Sequence, residues 1–219
     1  MKIALIGSTG FVGTGVATEL LSRDHHVTAL VRNLGKVEPK AGLSVVLADA
    51  YDHLAVADAV AGHDAVVSAF NPGWEDPDLY DKYVAGTASI VRGVEASGIK
   101  RLLVVGGAGS LLVAPDIQLV DTPEFAKQVP AFVVPGARAA RDALTILRDN
   151  TTLEWTLISP PAFLEAGVRT GAYRLGGDNL LMDGDTPAGI AVSDLSVAIV
   201  DELEKPRHVR RRFTVARMA

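Results

Sequence analysis

The stretch GSTGFVG near the amino terminus places Gly7, Gly10 and Gly13 directly behind a run of aliphatic residues. Glycine is favoured wherever a backbone turns tightly, so the pattern fits either a simple turn or a loop that cradles phosphates. The second interpretation is favoured, because a predicted strand precedes the loop, a predicted helix follows it, and another strand begins about 20 residues on. In that setting Gly7 permits the turn, Gly10 lets the backbone approach a pyrophosphate, and Gly13 lets the helix pack on the sheet.

The end of the second predicted strand indicates which dinucleotide would bind. An NAD site usually has Asp or Glu there for the ribose 2′-hydroxyl, whereas an arginine accommodates a 2′-phosphate. The strand ends in ALVRN, and no acidic residue occurs between Asp24 and Glu38. Arg32 therefore predicts NADP as the cofactor, with NAD still possible, because an arginine at a strand end can also be an ordinary solvated residue.

The next two strand ends complete the predicted cofactor site. Asp49 and Ala50 end the third strand, where an adenine amino group would be met. Asp49 is equally suited to capping the helix that follows. Ala69, Phe70 and Asn71 end the fourth strand, and small residues there would let a cofactor cross the edge of the sheet.

Apolar runs and helical patterns alternate along the chain. The runs at 2–6, 26–31, 43–48, 65–70, 101–105 and 155–159 predict strands that are buried on both faces. Helical patterns occupy 13–23, 51–61, 80–97 and 136–150. This order predicts an α/β fold, a doubly wound parallel sheet of the NAD(P)-binding Rossmann type, with one domain over residues 1–219.

Two segments interrupt the alternation, residues 108–135 and 160–189, and both are rich in Pro, Gly and Asp. They lie beyond predicted strand ends, where open α/β sheets bind ligands. We therefore expect them to form the walls of a substrate site, with a small irregular lobe in the carboxyl-terminal part of the chain. Ser193 or Asp194 is expected to cap the helix after the second segment.

Composition excludes several kinds of site. The chain of 219 residues has no cysteine, so disulfides, zinc-thiolate sites and thiol nucleophiles are excluded, and its five histidines show no metal-ligand spacing. A net charge of −5 disfavours nucleic acid as a partner, and the basic segment 205–213 is interpreted as a solvated loop before a last strand. The first apolar run is too short for a signal peptide or a membrane span. We expect a cytoplasmic protein without a metal or a membrane partner, either a monomer or a homodimer.

The motifs GSTGFVG, ALVRN, DAVVSAF, SPPAFLE and IAVSDLSVAIVDEL together resemble the atypical short-chain dehydrogenase/reductase group. The segments RTGAYRLGGDNLL and RRRFTV resemble its NmrA-like, NADH-flavin reductase branch in particular, with a more distant likeness to biliverdin reductase B. The resemblance implies that Pro160, Pro161 and Phe163 lie near the nicotinamide, and that Arg32 meets the 2′-phosphate. It also implies a pyrophosphate site formed by Gly7, Thr9, Gly10, Phe11, Val12 and Gly13.

One departure from that group bears on the reaction. The main short-chain dehydrogenases use Tyr-x-x-x-Lys as acid and base, but here no tyrosine stands four residues before a lysine, and residues 132–144 read FVVPGARAARDAL. Carbonyl reduction then lacks its usual proton carrier, whereas hydride transfer to a flavin needs less from the protein. The prediction is an NAD(P)H-dependent oxidoreductase that acts on a flavin or a similar flat acceptor. The alternatives are an NADP(H)-binding redox sensor and an epimerase-like or dehydratase-like enzyme.

No catalytic side chain is assigned from the sequence. Ser110, in the loop GGAGS after the fifth strand, is a candidate for a hydrogen bond to a small-molecule substrate. A turn serine is the alternative interpretation for this residue.

Overall fold

The computed structural model describes residues 1–38 and 40–218. Six α-helices are formed: α1 (Phe11–Ser22), α2 (His53–Val60), α3 (Leu79–Ser97), α4 (Pro123–Gln128), α5 (Val133–Arg148) and α6 (Val192–Glu204). The strands are β1 (Lys2–Ile6), β2 (His26–Val31), β3 (Leu43–Leu47), β4 (Ala65–Ser68), β5 (Arg101–Val105), β6 (Leu112–Ala114), β7 (Ile117–Gln118), β8 (Glu154–Ser159), β9 (Phe163–Glu165), β10 (Arg174–Gly176), β11 (Met182–Asp183), β12 (Thr186–Pro187), β13 (Gly189–Ala191) and β14 (Arg211–Ala216).

The central sheet has eight strands in the order β10-β14-β8-β5-β4-β1-β2-β3. All neighbours are parallel except β10, which pairs antiparallel with β14. Ile6 of β1 lies opposite Leu30 of β2 and Ser68 of β4, so three strands end at the same edge. The chain order reverses on either side of β1, and this is the place where open α/β sheets bind ligands.

Helices cover both faces of the sheet because the central strands are apolar on both faces. Ile3 and Leu5 of β1 lie in the core beneath α1 and α6, whereas the alternating Ala4 and Ile6 lie in the core beneath α2, α3 and α5. The predicted doubly wound Rossmann fold is confirmed. Within the described ranges, no helix has both the length and the apolar character that crossing a bilayer requires.

Segment 108–135 is more regular than the sequence indicated. It contains the strand pair β6 and β7 and the short helix α4, and α5 begins at Val133 rather than at Gly136. Pro135 lies in the first turn of α5, where its missing N–H leaves no helical hydrogen bond unmade.

The lobe, defined here as residues 160–191, contains the parallel pair β9–β13 and the antiparallel pair β11–β12. The prediction that Ser193 or Asp194 caps the following helix is wrong, because α6 begins at Val192 and its N-cap residue, Ala191, has no side-chain hydrogen bond. The buried Asp194 carboxylate instead accepts hydrogen bonds from Thr170. The hydroxyl of Ser193 donates to the carbonyl of Gly167. Both side chains therefore hold the lobe on α6, a role that no local pattern encodes.

The basic segment near the carboxyl terminus is mostly exposed up to residue 211, as expected of a solvated loop, but its end differs from that prediction. The last strand begins at Arg211, and the Arg212 side chain is 3% exposed. Its guanidinium contacts Asp178 in the lobe and the hydroxyl of Ser110. Arg212 therefore ties the last strand to the lobe and to the loop after β5.

Candidate functional site

A cleft of about 760 Å³ opens at the carboxyl edge of the sheet, beside β1 and β2. It brings together many of the residues that the sequence pointed to: Gly7, Thr9, Arg32, Asp49, Ala50, Phe70 and Asn71. Residues not predicted to take part also line it: Ile6, Leu30, Val31, Asn33, Ala48, Tyr51 and Val56. We call this space the sheet-edge cleft. It lies at the point where the strand order reverses, which is the usual ligand site in this architecture.

Gly7 forms the turn between β1 and the glycine loop. Its φ of +80° is in the left-handed region, and a Cβ atom there would lie 2.3 Å from the carbonyl oxygen of Ala69. Only glycine both adopts this left-handed conformation readily and leaves room for the Ala69 carbonyl. The N–H of Gly10 donates to the carbonyl of Gly7 at 3.0 Å, which closes the turn. The loop is therefore held tightly against the end of β4.

Gly13 and Gly10 differ in their surroundings. A Cβ atom at Gly13 would lie 2.0 Å from the carbonyl oxygen of Gly7, so the start of α1 packs directly on the loop. At Gly10, by contrast, the nearest atom to such a Cβ is 3.4 Å away. Space is thus left open beside Gly10, where a ligand would approach the loop.

The start of α1 presents unused hydrogen-bond donors. Within residues 1–38 and 40–218, the N–H groups of Phe11 and Val12 meet no acceptor, and Gly10 supplies no side-chain cap. The hydroxyl of Ser8 is buried and has no partner among the described residues. A helix start with free N–H groups and a partial positive charge suits an anion such as a pyrophosphate.

Phe11, Val12 and Gly13 do not line the sheet-edge cleft. Phe11 is 54% exposed and lines a second groove with Gly10 and Arg169, on the outer side of α1. Val12 packs against the core beneath α1, and Gly13 is buried. The side chains of Phe11 and Val12 therefore face away from the cleft, although the backbone of both residues belongs to the exposed helix start.

Arg32 stands at the end of β2 with its side chain exposed. It takes part in no ion pair with any other residue in the described ranges. Burial raises the pKa of the Tyr51 phenol, and the positive charge of Arg32 opposes that rise. The guanidinium thus lines the cleft without a direct ion pair among the described residues, although Asp49 lines the same cleft. A hydrogen bond from Lys82 lowers the pKa of Asp76, and the charge of Arg32 helps to lower it. A guanidinium without a direct ion pair suits a phosphate ligand.

Asp49 does not cap the helix that follows it. Its Oδ1 accepts a hydrogen bond from the N–H of Tyr51 at 3.0 Å, whereas Asp52 caps α2 by accepting from Leu54 and Ala55. Helix α2 begins at His53, so Tyr51 lies in a turn facing the cleft. The sequence pattern placed Tyr51 inside the helix, and for that reason the residue was missed as a cleft residue.

The aromatic ring of Phe70 forms one wall of the cleft. It meets the ring of Tyr51 edge to face, with centroids 5.7 Å apart and planes at 87°. Ala69 packs behind the loop, and the Asn71 side chain accepts a hydrogen bond from the N–H of Gly73 at 2.8 Å. The end of β4 therefore offers an apolar surface rather than a hydrogen-bonding one.

The three candidate substrate residues lie outside the cleft and in different settings. Ser110 is 2% exposed, and its hydroxyl oxygen accepts a hydrogen bond from Arg212 at 3.1 Å. Pro161 is buried, whereas Phe163 in β9 is 58% exposed. Of the three, only Phe163 presents a side chain that a ligand can contact.

Within the described residues, the tyrosine that lines the cleft is Tyr51; the positive charges of Arg32 and Lys82 oppose the rise of its pKa on burial, and the Lys82 ammonium pairs with Asp76 at 2.9 Å. Tyr83 is buried, its hydroxyl lies 3.5 Å from the carbonyl oxygen of Val105, and burial raises its pKa to about 12. Tyr80 donates to Asp142, and Tyr173 donates to Asp201. The same ranges contain no group of three His, Cys, Asp or Glu side chains that could hold a metal ion.

Comparison with known proteins agrees with this geometry. A family described as NAD(P)H-binding matches residues 7–206. The uncharacterized protein YwnB of Bacillus subtilis (strain 168) is 37% identical over 218 residues, covering 98% of each chain.

Two solved structures match along nearly their whole length. A provisionally assigned epimerase of Bacteroides thetaiotaomicron is 39% identical, with a TM-score of 0.90 over 100% of this chain and 97% of that one. A provisionally assigned NADH-flavin reductase of Streptococcus pneumoniae TIGR4 is 32% identical, with a TM-score of 0.82 over 100% of both chains. The chain therefore belongs to the family described as NAD(P)H-binding, and the resemblance of its motifs to the atypical, NmrA-like short-chain dehydrogenase/reductase group fits this result.

Proposed function

We propose that this protein is an NAD(P)H-dependent reductase that passes hydride to a flavin or a similar flat acceptor. The observation that carries the proposal is a dinucleotide-type cleft with no Tyr-x-x-x-Lys pair in the chain. A flavin brings its own reactive centre and can take a proton from solvent, so such a pair is not needed. The likeness to a provisionally assigned NADH-flavin reductase supports the same acceptor class.

In this proposal the residues at the sheet edge would hold the cofactor. Gly7, Thr9 and Gly10, together with the free N–H groups at the start of α1, would hold the pyrophosphate. Asp49, Ala50 and Phe70, which line the cleft at the ends of β3 and β4, would hold the adenosine half. Arg32 stands at this end, so the 2′-phosphate of NADPH gains a charge-assisted contact that NADH lacks.

The residues after β4, β5 and β8, on the other side of β1 from Arg32, would hold the nicotinamide half. The reduced nicotinamide supplies the hydride. The protein contributes binding and orientation, with the exposed ring of Phe163 as an apolar surface for a flat acceptor. Ser110 is left out of this surface, because Arg212 already occupies its hydroxyl.

Two alternatives predict different outcomes. An epimerase-like activity is favoured by the likeness to a provisionally assigned epimerase, but it would need a proton carrier other than a Tyr-x-x-x-Lys pair. An NADP(H) sensor would use the same cleft and would bind the cofactor without turnover. Both alternatives share the cofactor site, so acceptor chemistry has to distinguish them.

The deciding experiment is anaerobic stopped-flow oxidation of NADPH with free FMN, FAD or a quinone as acceptor. We expect oxidation that saturates with the acceptor and is faster with NADPH than with NADH at low cofactor concentration. Tight binding of NADPH without oxidation by any of the three acceptors would contradict the reductase and favour the sensor. Binding of neither nicotinamide cofactor would contradict the proposed cofactor placement itself.

A further inference from the structure

Gly86 lies inside α3, where the lack of a side chain leaves room for the ring of Phe70. A Cβ atom at Gly86 would lie 2.4 Å from Cε1 and 2.5 Å from Cζ of Phe70, and 3.3 Å from Cε1 of Tyr51. Alanine is the better helix former at an interior position, so helix formation gives no reason for a glycine here. The close approach of the Phe70 ring explains the glycine, because any side chain at this position would collide with the ring.

The surroundings of Phe70 determine where its ring would go if it were displaced. Tyr83 from α3 contacts the ring at a centroid distance of 6.1 Å, and Tyr51 contacts it at 5.7 Å. Phe70 and Tyr51 both line the sheet-edge cleft, which is the open space next to the pair. A ring pushed away from Gly86 would therefore be displaced towards the cleft and against Tyr51.

We propose that Gly86 is a positioning residue for the purine ring of the cofactor: by seating Phe70 and, through it, Tyr51, it sets the width of the adenosine half of the cleft. Aromatic rings recognise a purine mainly by stacking and edge contacts, and both depend on where the protein holds the ring. Tyr51 is then the second aromatic contact of the base. The inference rests on the cofactor placement proposed above and adds a residue of α3 that does not touch the cofactor.

The experiment measures the two halves of the dinucleotide separately. Adenosine 2′,5′-bisphosphate reports on the adenosine half and reduced nicotinamide mononucleotide on the other, each titrated by calorimetry or fluorescence. Gly86→Ala is expected to weaken binding of the adenosine ligand and of NADPH about tenfold, the size of a lost aromatic contact. Binding of the mononucleotide is expected to stay unchanged.

Two further variants separate an effect on the position of Phe70 from general destabilisation of the fold. Phe70→Leu removes the ring atoms that a Cβ at Gly86 would approach within 2.5 Å and leaves the 3.3 Å contact with Tyr51. Adding Gly86→Ala to Phe70→Leu is therefore expected to cause a much smaller loss of adenosine affinity than Gly86→Ala causes alone. The matched control is Gly176→Ala in β10, where a Cβ would lie 2.8 Å from Leu181, at the opposite edge of the sheet from the cleft. The control is expected to lower the melting temperature without changing either affinity.

The outcomes that overturn the role of Gly86 differ from the outcome that contradicts the proposed function. If the natural protein binds NADPH and Gly86→Ala leaves the adenosine affinity unchanged, the inference is overturned. The inference is also overturned if Gly86→Ala weakens binding of the adenosine ligand equally in the natural protein and in Phe70→Leu. Gly86 would then not act through the Phe70 ring. Should Gly86→Ala fail to fold, Phe70→Leu decides alone: adenosine affinity equal to that of the natural protein would overturn the inference, because the Phe70 ring would then not position the base. A natural protein that binds none of the ligands contradicts the cofactor placement instead.

Discussion

The Glu19 carboxylate of α1 and the Arg169 guanidinium of the lobe form a bidentate ion pair, with Nε to Oε2 at 2.7 Å and Nη2 to Oε1 at 2.8 Å. Glu19 is nearly buried and also accepts a hydrogen bond from Arg23, which in turn pairs with Asp201 of α6. One carboxylate thus connects the helix that starts at the glycine loop with the lobe and, through Arg23, with α6.

This arrangement makes stability depend on pH in a defined way. Hydrogen bonding by Arg169, and then by Arg23, holds the pKa of Glu19 below its ordinary value of 4.5, although burial acts in the opposite direction. Because the pKa of Glu19 is lower in the folded protein than in the unfolded chain, the ionised carboxylate stabilises the fold fully above pH 4.5. This stabilisation is lost as the pH falls through the lowered pKa of the folded protein. Glu19→Gln is expected to cost about 1 to 2 kcal/mol at pH 7, and the difference should vanish at low pH.

Urea denaturation of both proteins from pH 7 to pH 3 checks this expectation. Glu124→Gln, at an exposed position of α4, is the matched control and should change stability little at any pH. A constant difference between Glu19→Gln and the natural protein over the whole range would show that the charge of Glu19 plays no part.

Two glycines of the loop are expected to respond differently to the same substitution. Gly13→Ala places a methyl group against the carbonyl oxygen of Gly7, which should lower the free energy of unfolding by about 1 to 3 kcal/mol. Gly10→Ala meets no such obstacle and should change stability by less than about 0.5 kcal/mol. Its methyl group would occupy the space beside the proposed pyrophosphate, so NADPH affinity should fall by about tenfold or more. Thermal unfolding and calorimetric titration of both variants test the contrast; normal NADPH binding by Gly10→Ala would place the phosphates elsewhere.

Arg32 is expected to determine the preference between the two nicotinamide cofactors. A charge-assisted hydrogen bond is worth about 1.5 to 3 kcal/mol. Arg32→Ala should therefore lower the affinity for NADPH about tenfold or more and leave the affinity for NADH nearly unchanged. Arg92→Ala, on the exposed part of α3 and outside the cleft, makes the same charge change and serves as the control. Equal affinities for NADPH and NADH in the natural protein, unaffected by Arg32→Ala, would remove Arg32 from the site.

A buried ion pair between Arg101 of β5 and Glu202 of α6 provides a stability prediction away from the cleft. Nη2 lies 3.2 Å from Oε1, and both side chains are less than one-tenth exposed, at 8% and 4%. Glu202→Ala leaves the Arg101 charge buried without its carboxylate and should lower the free energy of unfolding by about 3 to 5 kcal/mol. Glu202→Ala and the double replacement, Arg101→Met with Glu202→Leu, both remove the acceptor of the Arg207 and His208 N–H groups. The double replacement leaves no unpaired buried charge, so it should cost less than Glu202→Ala. Denaturant titrations check both values, and an equal loss in the double variant would contradict the explanation.

Much of the fold was predictable because its signals are local. The strands from β1 to β5 and β8 follow from short apolar runs, and their order with the helices requires a parallel sheet. The left-handed conformation of Gly98 at the end of α3 likewise follows from a glycine after a helical pattern. Boundaries were less predictable, as the start of α5 at Val133 shows, because Pro135 is compatible with a first helical turn.

The candidate site likewise combines features that local sequence predicts with contacts that depend on distant residues. Glycine spacing, Arg32 and the residues at the strand ends are local features of the sequence, and the structure brings several of them to one cleft. The roles of Asp194, Ser110 and Gly86 depend on partners that lie far away in the chain or on another element.

Local features of the chain were enough to predict the layered fold, the glycine loop and the cofactor family, because apolar periodicity and the conformational freedom of glycine act within a few residues. The folded structure was needed to show that Asp194 accepts from Thr170, that Arg212 donates to Ser110, and that Phe70 packs on Gly86. A polar or aromatic side chain contacts whichever partner the packing brings within contact distance. Strand order and helix placement set that distance, and no pattern along the chain records it.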